Sequence, residues 1–390
     1  MSEAHAKLSA SGSHKWLHCP PSIRMEEGEP ESTSQYAEEG RLAHELGELK
    51  LRKAFTDPMS TRTFNAKLKT IKEHPLYLPE MQNTTDVYLN HVSEIVHRCA
   101  TKPYVAVEKR LDFSEWVPEG FGTGDCIIIF DKTIHVIDYK HGKGVPVYSD
   151  SNSQMMLYAI SAWNTYKMLY DIQKIVMTIV QPRLDNISES EINVADLLAW
   201  GETVKPIAIQ ALAGEGECNP GDWCRWCKAK AKCRARADNH TALEVFKAAM
   251  PPILTNDEIG DILIRAENLS GWIADLQAYA LNECLSGRNV PGWKVVEGRA
   301  IRQFTDQEAA FKVLKDKGTE EAMLYERKPL TLAKIETLIG KPTFRTLLSE
   351  YVTTPPGKPA LVSETDKREP MKRQTANDVF ANYEGGLTDE

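Results

Sequence analysis

No window of this 390-residue chain offers the roughly 18 uninterrupted apolar residues that a membrane-spanning helix needs. The opening segment, MSEAHAKLSASGSHKWLHCPPS, has no apolar run of the kind a secretory signal carries. A cytoplasmic protein with no membrane attachment is therefore expected. A positive balance is also missing: the formal net charge is −8 and the pI about 5.8. That excludes a generally basic nucleic-acid coat, though a local basic groove can coexist with an acidic whole. There is no internal repeat, so a repeat array is excluded. From Thr353 onward large apolar residues become scarce, while Pro355, Pro356, Pro359 and Pro370 accumulate. Residues 353–390 are expected to form a flexible tail.

What is present is the composition of a globular protein, 42% hydrophobic and 26% charged. The segment 34–55, with Leu42, Leu46 and Leu49 at helical spacing, predicts a helix, and 86–100 a second one. A β-rich block follows. YVAVEKRLDF (104–113) alternates, GDCIIIF (124–130) is a short β-branched run, and TIHVIDYK (133–140) returns after an Asp131-Lys132 turn. A helix over 149–170, a strand over 174–182 and a helix over 194–214 complete the order. Beyond 240, residues 241–285 read as helical, 292–304 as a small β element and 306–352 as short helices. Three segments are expected: a core over 1–240, an accessory region over 241–352, and the tail.

The strands carry acids at particular places. Glu108 lies in the first, Asp125 follows a glycine-rich turn into the second, and Asp138 ends the third with Lys140 two residues on. Residues i and i+2 of a strand share a face, so Asp138 and Lys140 point the same way. Pairing through the Asp131-Lys132 turn brings Asp125 and Asp138 to the same end of the hairpin. Two converging carboxylates repel unless a cation sits between them, and oxygen-rich sites suit magnesium or manganese. Lys140 is then placed to orient a water or stabilise charge on a phosphoryl oxygen. The plain alternative is an exposed ion pair at a strand end. Upstream, His44 shares a helical face with Gly40 and Glu48; downstream, Gln154 and Tyr158 lie one helical turn apart.

His44, Gly124-Asp125, Asp138-x-Lys140 and Gln154-x3-Tyr158, in this order on an α, βββ, α, β pattern, resemble the RecB-like branch of the PD-(D/E)XK nucleases. The resemblance covers roughly residues 10–240. It implies a restriction-endonuclease-like α/β core, a mixed central sheet flanked by helices, followed here by helical additions and a smaller α+β C-terminal region. It also implies a metal-dependent deoxyribonuclease. His44, Asp125 and Asp138 would hold Mg2+ or Mn2+, Lys140 would be catalytic, and Gln154 and Tyr158 would position substrate and site. Glu108 is a weaker candidate for supporting the metal. Two departures stand out. Asp138 replaces the commoner Glu before the lysine, shortening its reach by one methylene. Gly124 stands where the superfamily name has proline.

Of eight cysteines, four fall in CNPGDWCRWCKAKAKC, giving Cys218-x5-Cys224-x2-Cys227-x5-Cys233. In a reducing compartment such clustering reads as a metal site. The spacing permits two sets: Cys218, Cys224, Cys227 and Cys233 around Zn2+, or Cys19, Cys224, Cys227 and Cys233 around a 4Fe–4S cluster. Iron–sulfur members of the RecB-like branch carry a lone N-terminal cysteine and a C-x2-C-x5-C after the core, so the resemblance implies the second set. Arg225, Lys228, Lys230, Lys232, Arg234 and Arg236 read as a phosphate-binding patch or a solvated face. Trp223 and Trp226 could stack on bases or pack around the cluster. The SGSHKWLHCPPS and GWKVVEGR segments resemble a phage and prophage family of such nucleases. That resemblance implies DNA as partner, an exonuclease in phage recombination or replication within the host cytoplasm, a single-strand-binding or annealing protein beside it, and possible homo-oligomers. A non-catalytic DNA-binding scaffold on the same fold is the alternative.

Overall fold

The β-branched runs form the centre of a five-stranded sheet. In the computed structural model the strands are β1 (Tyr104–Asp112), β2 (Phe121–Phe130), β3 (Thr133–Tyr139), β4 (Lys174–Gln181) and β5 (Asn186–Asn193). They lie side by side in chain order. Neighbours are antiparallel except β3 and β4, which are parallel. The structure describes residues 6–29, 35–241, 255–266, 269–296, 306–316, 320–325, 331–332, 335–336 and 340–352.

Asp131 and Lys132 both take positive φ, 42° and 61°, so the β2–β3 link is a tight two-residue hairpin. The parallel β3–β4 step needs a crossover, which α6 (Ser153–Tyr166) supplies. Nearly all of β4 is buried, as a continuous apolar run predicts for a central strand. β5 was not evident from the sequence. Its NISESEIN pattern is mostly polar, because exposure alternates along an edge strand.

Helices cover both faces. Ile127, Ile129, Ile134, Val136 and Ile179 pack against α6 and α7 (Val194–Ala213), together with Trp16 of α1 (Ser13–His18). Cys126, Ile128, Ile137 and Tyr139 face α3 (Gln35–Leu51) and α5 (Glu80–Arg98). A short α2 (Ser22–Met25) follows α1, and α4 (Thr61–Lys72) lies between α3 and α5 in the chain. Beyond the sheet come α8 (Arg234–Thr241), α9 (Asn256–Ala266), α10 (Leu269–Leu285), α11 (Gln307–Asp316) and α12 (Lys341–Leu348). The architecture is a mixed α/β sheet with flanking helices and a helical C-terminal region.

The chain divides into two units, Met1–Trp293 and Lys294–Glu390. The β element expected over 292–304 lies largely outside the described residues, and so does the tail over 353–390. Among the described residues no helix is long and apolar enough to cross a membrane.

Candidate metal centre

The register builds the site. Val107 pairs with Cys126 and Lys109 with Gly124, so Glu108 lies opposite Asp125. Cys126 pairs with Ile137, so Asp138 is the next position opposite Asp125. Three acids thus form a row across β1, β2 and β3. Antiparallel neighbours directly opposite share a face, and Asp125 and Asp138 lie on the face that α6 covers. Glu108 interrupts the ladder: its φ is +50°, a left-handed backbone inside a strand. For a non-glycine residue that conformation is costly and is found where the surroundings impose it.

His44 on α3 reaches this row, with Nδ1 3.4 Å from Asp125 Oδ2. One atom each of His44, Glu108 and Asp125 lies within 4.8 Å of the others, a spacing that can hold a metal ion. Asp125 Oδ2 also accepts the Tyr139 backbone N–H at 2.7 Å. Asp138 is engaged differently. The Lys140 ammonium lies 2.9 Å from Asp138 Oδ2, as the shared strand face predicts. Gln154 closes the set: Nε2 donates to Asp138 Oδ1 at 3.0 Å, and Oε1 accepts from Lys140 at 3.1 Å. Tyr158, buried one turn along α6, has its hydroxyl 3.5 Å from Gln154 Nε2. The sequence candidates His44, Asp125, Asp138, Lys140, Gln154 and Tyr158 therefore meet at one end of β1–β3, with Glu108 among them.

Charge is unevenly shared there. Burial opposes the charged His44 imidazole, but Asp125 beside it and Asp138 further off outweigh this and push its pKa up to about 9. Burial also works against the Asp125 carboxylate; His44, Lys140 and the Tyr139 N–H overcome it and hold its pKa low. Burial pushes Glu108 up to about 8, and the Asp125 charge adds to it. Asp138 is raised by burial despite the Lys140 ammonium, with Asp125 contributing. Three carboxylates with too few cations among them form an electrostatic environment that a divalent ion satisfies.

The chain matches the family described as "Protein of unknown function (DUF2800)" over residues 5–369. It belongs to that DUF2800 family. Among solved structures, it is similar to the crystal structure of SSO0001, at 16% identity and a TM-score of 0.28, over 60% of this chain and 89% of that one.

A second cluster lies at the start of the chain. Cys19, which caps α1, and Cys218, Cys224, Cys227 and Cys233 line one cavity with Lys15, Lys230 and Arg236. Among the described residues no three cysteine sulfurs lie within 4.8 Å of one another. Burial, with Glu26 next in effect, pushes the Cys227 thiol up to about 12. Trp223 lines this cavity and stacks on His18 at 4.2 Å, so it packs here, whereas Trp226 is exposed. Three of the six neighbouring cations are answered by acids distant in sequence. Lys230 and Arg236 both pair with Asp275, and Lys232 pairs with Glu29. Lys230, Lys232 and Arg236 are thus engaged within the chain.

Proposed function

We propose that this protein is a divalent-metal-dependent deoxyribonuclease acting exonucleolytically on linear DNA. The observation that carries the reading is the meeting of His44, Glu108 and Asp125 within metal-binding reach, beside a lysine already fixed on a second acid. His44, Glu108 and Asp125 would hold Mg2+ or Mn2+, while Asp138 is engaged by Lys140 and Gln154. An ion bound there supplies Lewis acidity to a phosphodiester oxygen and to the attacking water. Gln154 fixes the direction of the Lys140 ammonium, which can then stabilise negative charge on the phosphoryl group. Tyr158 closes the side of the site toward α6.

The cysteine cavity is read as a 4Fe–4S site formed by Cys19, Cys224, Cys227 and Cys233. Cys19 lines the same cavity as Cys224, Cys227 and Cys233, which supports that ligand set. Phage DNA recombination or replication, beside a single-strand-binding or annealing protein, is the setting this activity fits.

The deciding assay uses end-labelled linear single- and double-stranded DNA with Mn2+ or Mg2+. Wild type is expected to release nucleotides. Asp125→Asn and Lys140→Ala are each expected to lower the rate at least about a hundredfold. Equal rates for wild type and variants, or no cleavage of any DNA by wild type, would end the reading.

A further inference from the structure

The segment HGKGVPVYSDSN (141–152) links Lys140 to α6. Its two ends meet at the proposed active site, because Lys140 Nζ lies 3.1 Å from Gln154 Oε1. The loop therefore borders the site by construction.

The carbonyls of His141, Gly142, Val145 and Val147 are held by neighbouring side chains. The buried Gln181 donates through Nε2 to Gly142 O at 2.8 Å and Val145 O at 2.9 Å. Its Oε1 accepts from Val147 N at 3.0 Å. Asn186 Nδ2 donates to Val147 O at 2.8 Å, and Arg183 Nη1 lies 3.4 Å from His141 O. The N–H groups of Lys143, Gly144 and Val145 have no acceptor among the described residues. Lys143 is exposed and forms no ion pair with a described residue. Three successive free N–H donors beside an exposed lysine ammonium give this loop a stretch suited to an anion.

The two glycines point the same way. Neither Gly142 nor Gly144 has a left-handed φ, and a Cβ added to either meets nothing within 4 Å. Neither backbone conformation nor internal packing requires glycine at these positions. Close approach of something outside the chain remains as a physical reason.

We propose that this loop guides the phosphodiester backbone of the strand being cut, with Lys143 and the adjacent N–H groups contacting a phosphate next to the scissile one. The assignment rests on the nuclease reading above. Lys143 is a positioning residue, and the glycines let the backbone come close.

The test uses full-length wild type, Lys143→Ala, Lys143→Arg and the double variant Gly142→Ala/Gly144→Ala. Melting temperatures are expected to match wild type. Oligonucleotide binding, measured over a salt series with Ca2+ replacing the catalytic metal, is expected to weaken about tenfold in Lys143→Ala and in the glycine variant. Lys143→Ala should also reduce the slope of log affinity against log salt by about 1, and Lys143→Arg should restore it. If wild type binds and cuts DNA and the variants do so equally, the loop assignment fails and the nuclease reading stands. A lower melting temperature in the glycine variant would make the loop structural and also overturn the assignment. Absence of both binding and cleavage in wild type would overturn both readings.

Discussion

Glu108 shows how a single residue can be visible in the sequence while its situation is not. Strand parity placed Asp138 and Lys140 on one face, and the structure puts their charged groups 2.9 Å apart. Parity says nothing about a strand residue whose φ is +50°, so Glu108 was at best a weak candidate. The register shows why it matters: it stands opposite Asp125 and joins His44 in the metal-capable set. The short Asp138 side chain is taken up by Lys140 and Gln154. Glu108 has the extra methylene that Asp138 lacks. The strain can be measured. In an ordinary strand Gly is less stable than Ala, by roughly 0.5–1 kcal/mol. At position 108 the order should reverse, because only Gly adopts the left-handed conformation without cost. Glu108→Gly is expected to exceed Glu108→Ala in unfolding free energy by about 1 kcal/mol in denaturant titrations. Both variants should lose the rise in melting temperature that Mn2+ gives wild type. An Ala variant more stable than Gly would remove the strain; an undiminished Mn2+ effect would remove Glu108 from the metal set.

At the scale of elements, the apolar strands and the longest helices were legible because burial on both faces or one face leaves a period in the sequence. β2 and β4 are buried on both sides, and their runs of Ile, Val and Met say so. β5 has one packed side and one wet side, with two isoleucines among serines, glutamates and asparagines, so it carried little signal. Glu189 and Glu191 on that edge also discourage pairing with another sheet. Contacts between helices were not legible at all. Gly201 in α7 looks like a helix-weakening residue, and Ala should be the better helix former by roughly 1 kcal/mol. The packing reverses this expectation. A Cβ at Gly201 would come within 2.5 Å of Ile160 Cδ1 on α6 and within 2.7 Å of the buried Trp116 indole. Overpacking of a filled core costs about 1–3 kcal/mol and can exceed the propensity gain. Gly201→Ala is expected to lower stability by about 1–2 kcal/mol, read as a lower denaturant midpoint with an unchanged slope. An unchanged or higher midpoint would mean that α6 and α7 separate easily.

For the molecule as a whole, the cysteine cavity is where distant parts of the chain are brought together. Cys19 follows α1, whereas Cys218 to Cys233 follow α7, and Asp275 of α10 returns to pair with Lys230 and Arg236 beside them. These contacts tie α10 to the first unit, which runs to Trp293. The spacing of the cysteines was legible in the sequence; the choice between two ligand sets was not, because spacing alone cannot place Cys19. A group bound by Cys19 and the later cysteines links the start of the chain to the segment after α7, and its binding free energy becomes folding free energy. The two sets differ at one member each, and this gives the test. With 4Fe–4S held by Cys19, Cys224, Cys227 and Cys233, Cys19→Ser is expected to lose iron and acid-labile sulfide and at least about 3 kcal/mol of stability, comparable with losing a covalent cross-link. Cys218→Ser should retain both iron and stability. The zinc set predicts the reverse: Cys218→Ser would lose a stoichiometric Zn2+, and Cys19→Ser would keep it. In both variants the Mn2+-induced rise in melting temperature should persist, because His44, Glu108 and Asp125 form a separate ligand set. If either substitution abolished that rise as well, the two sites would be coupled, and the cysteine group would have to be given a role in the metal centre beyond fastening the chain.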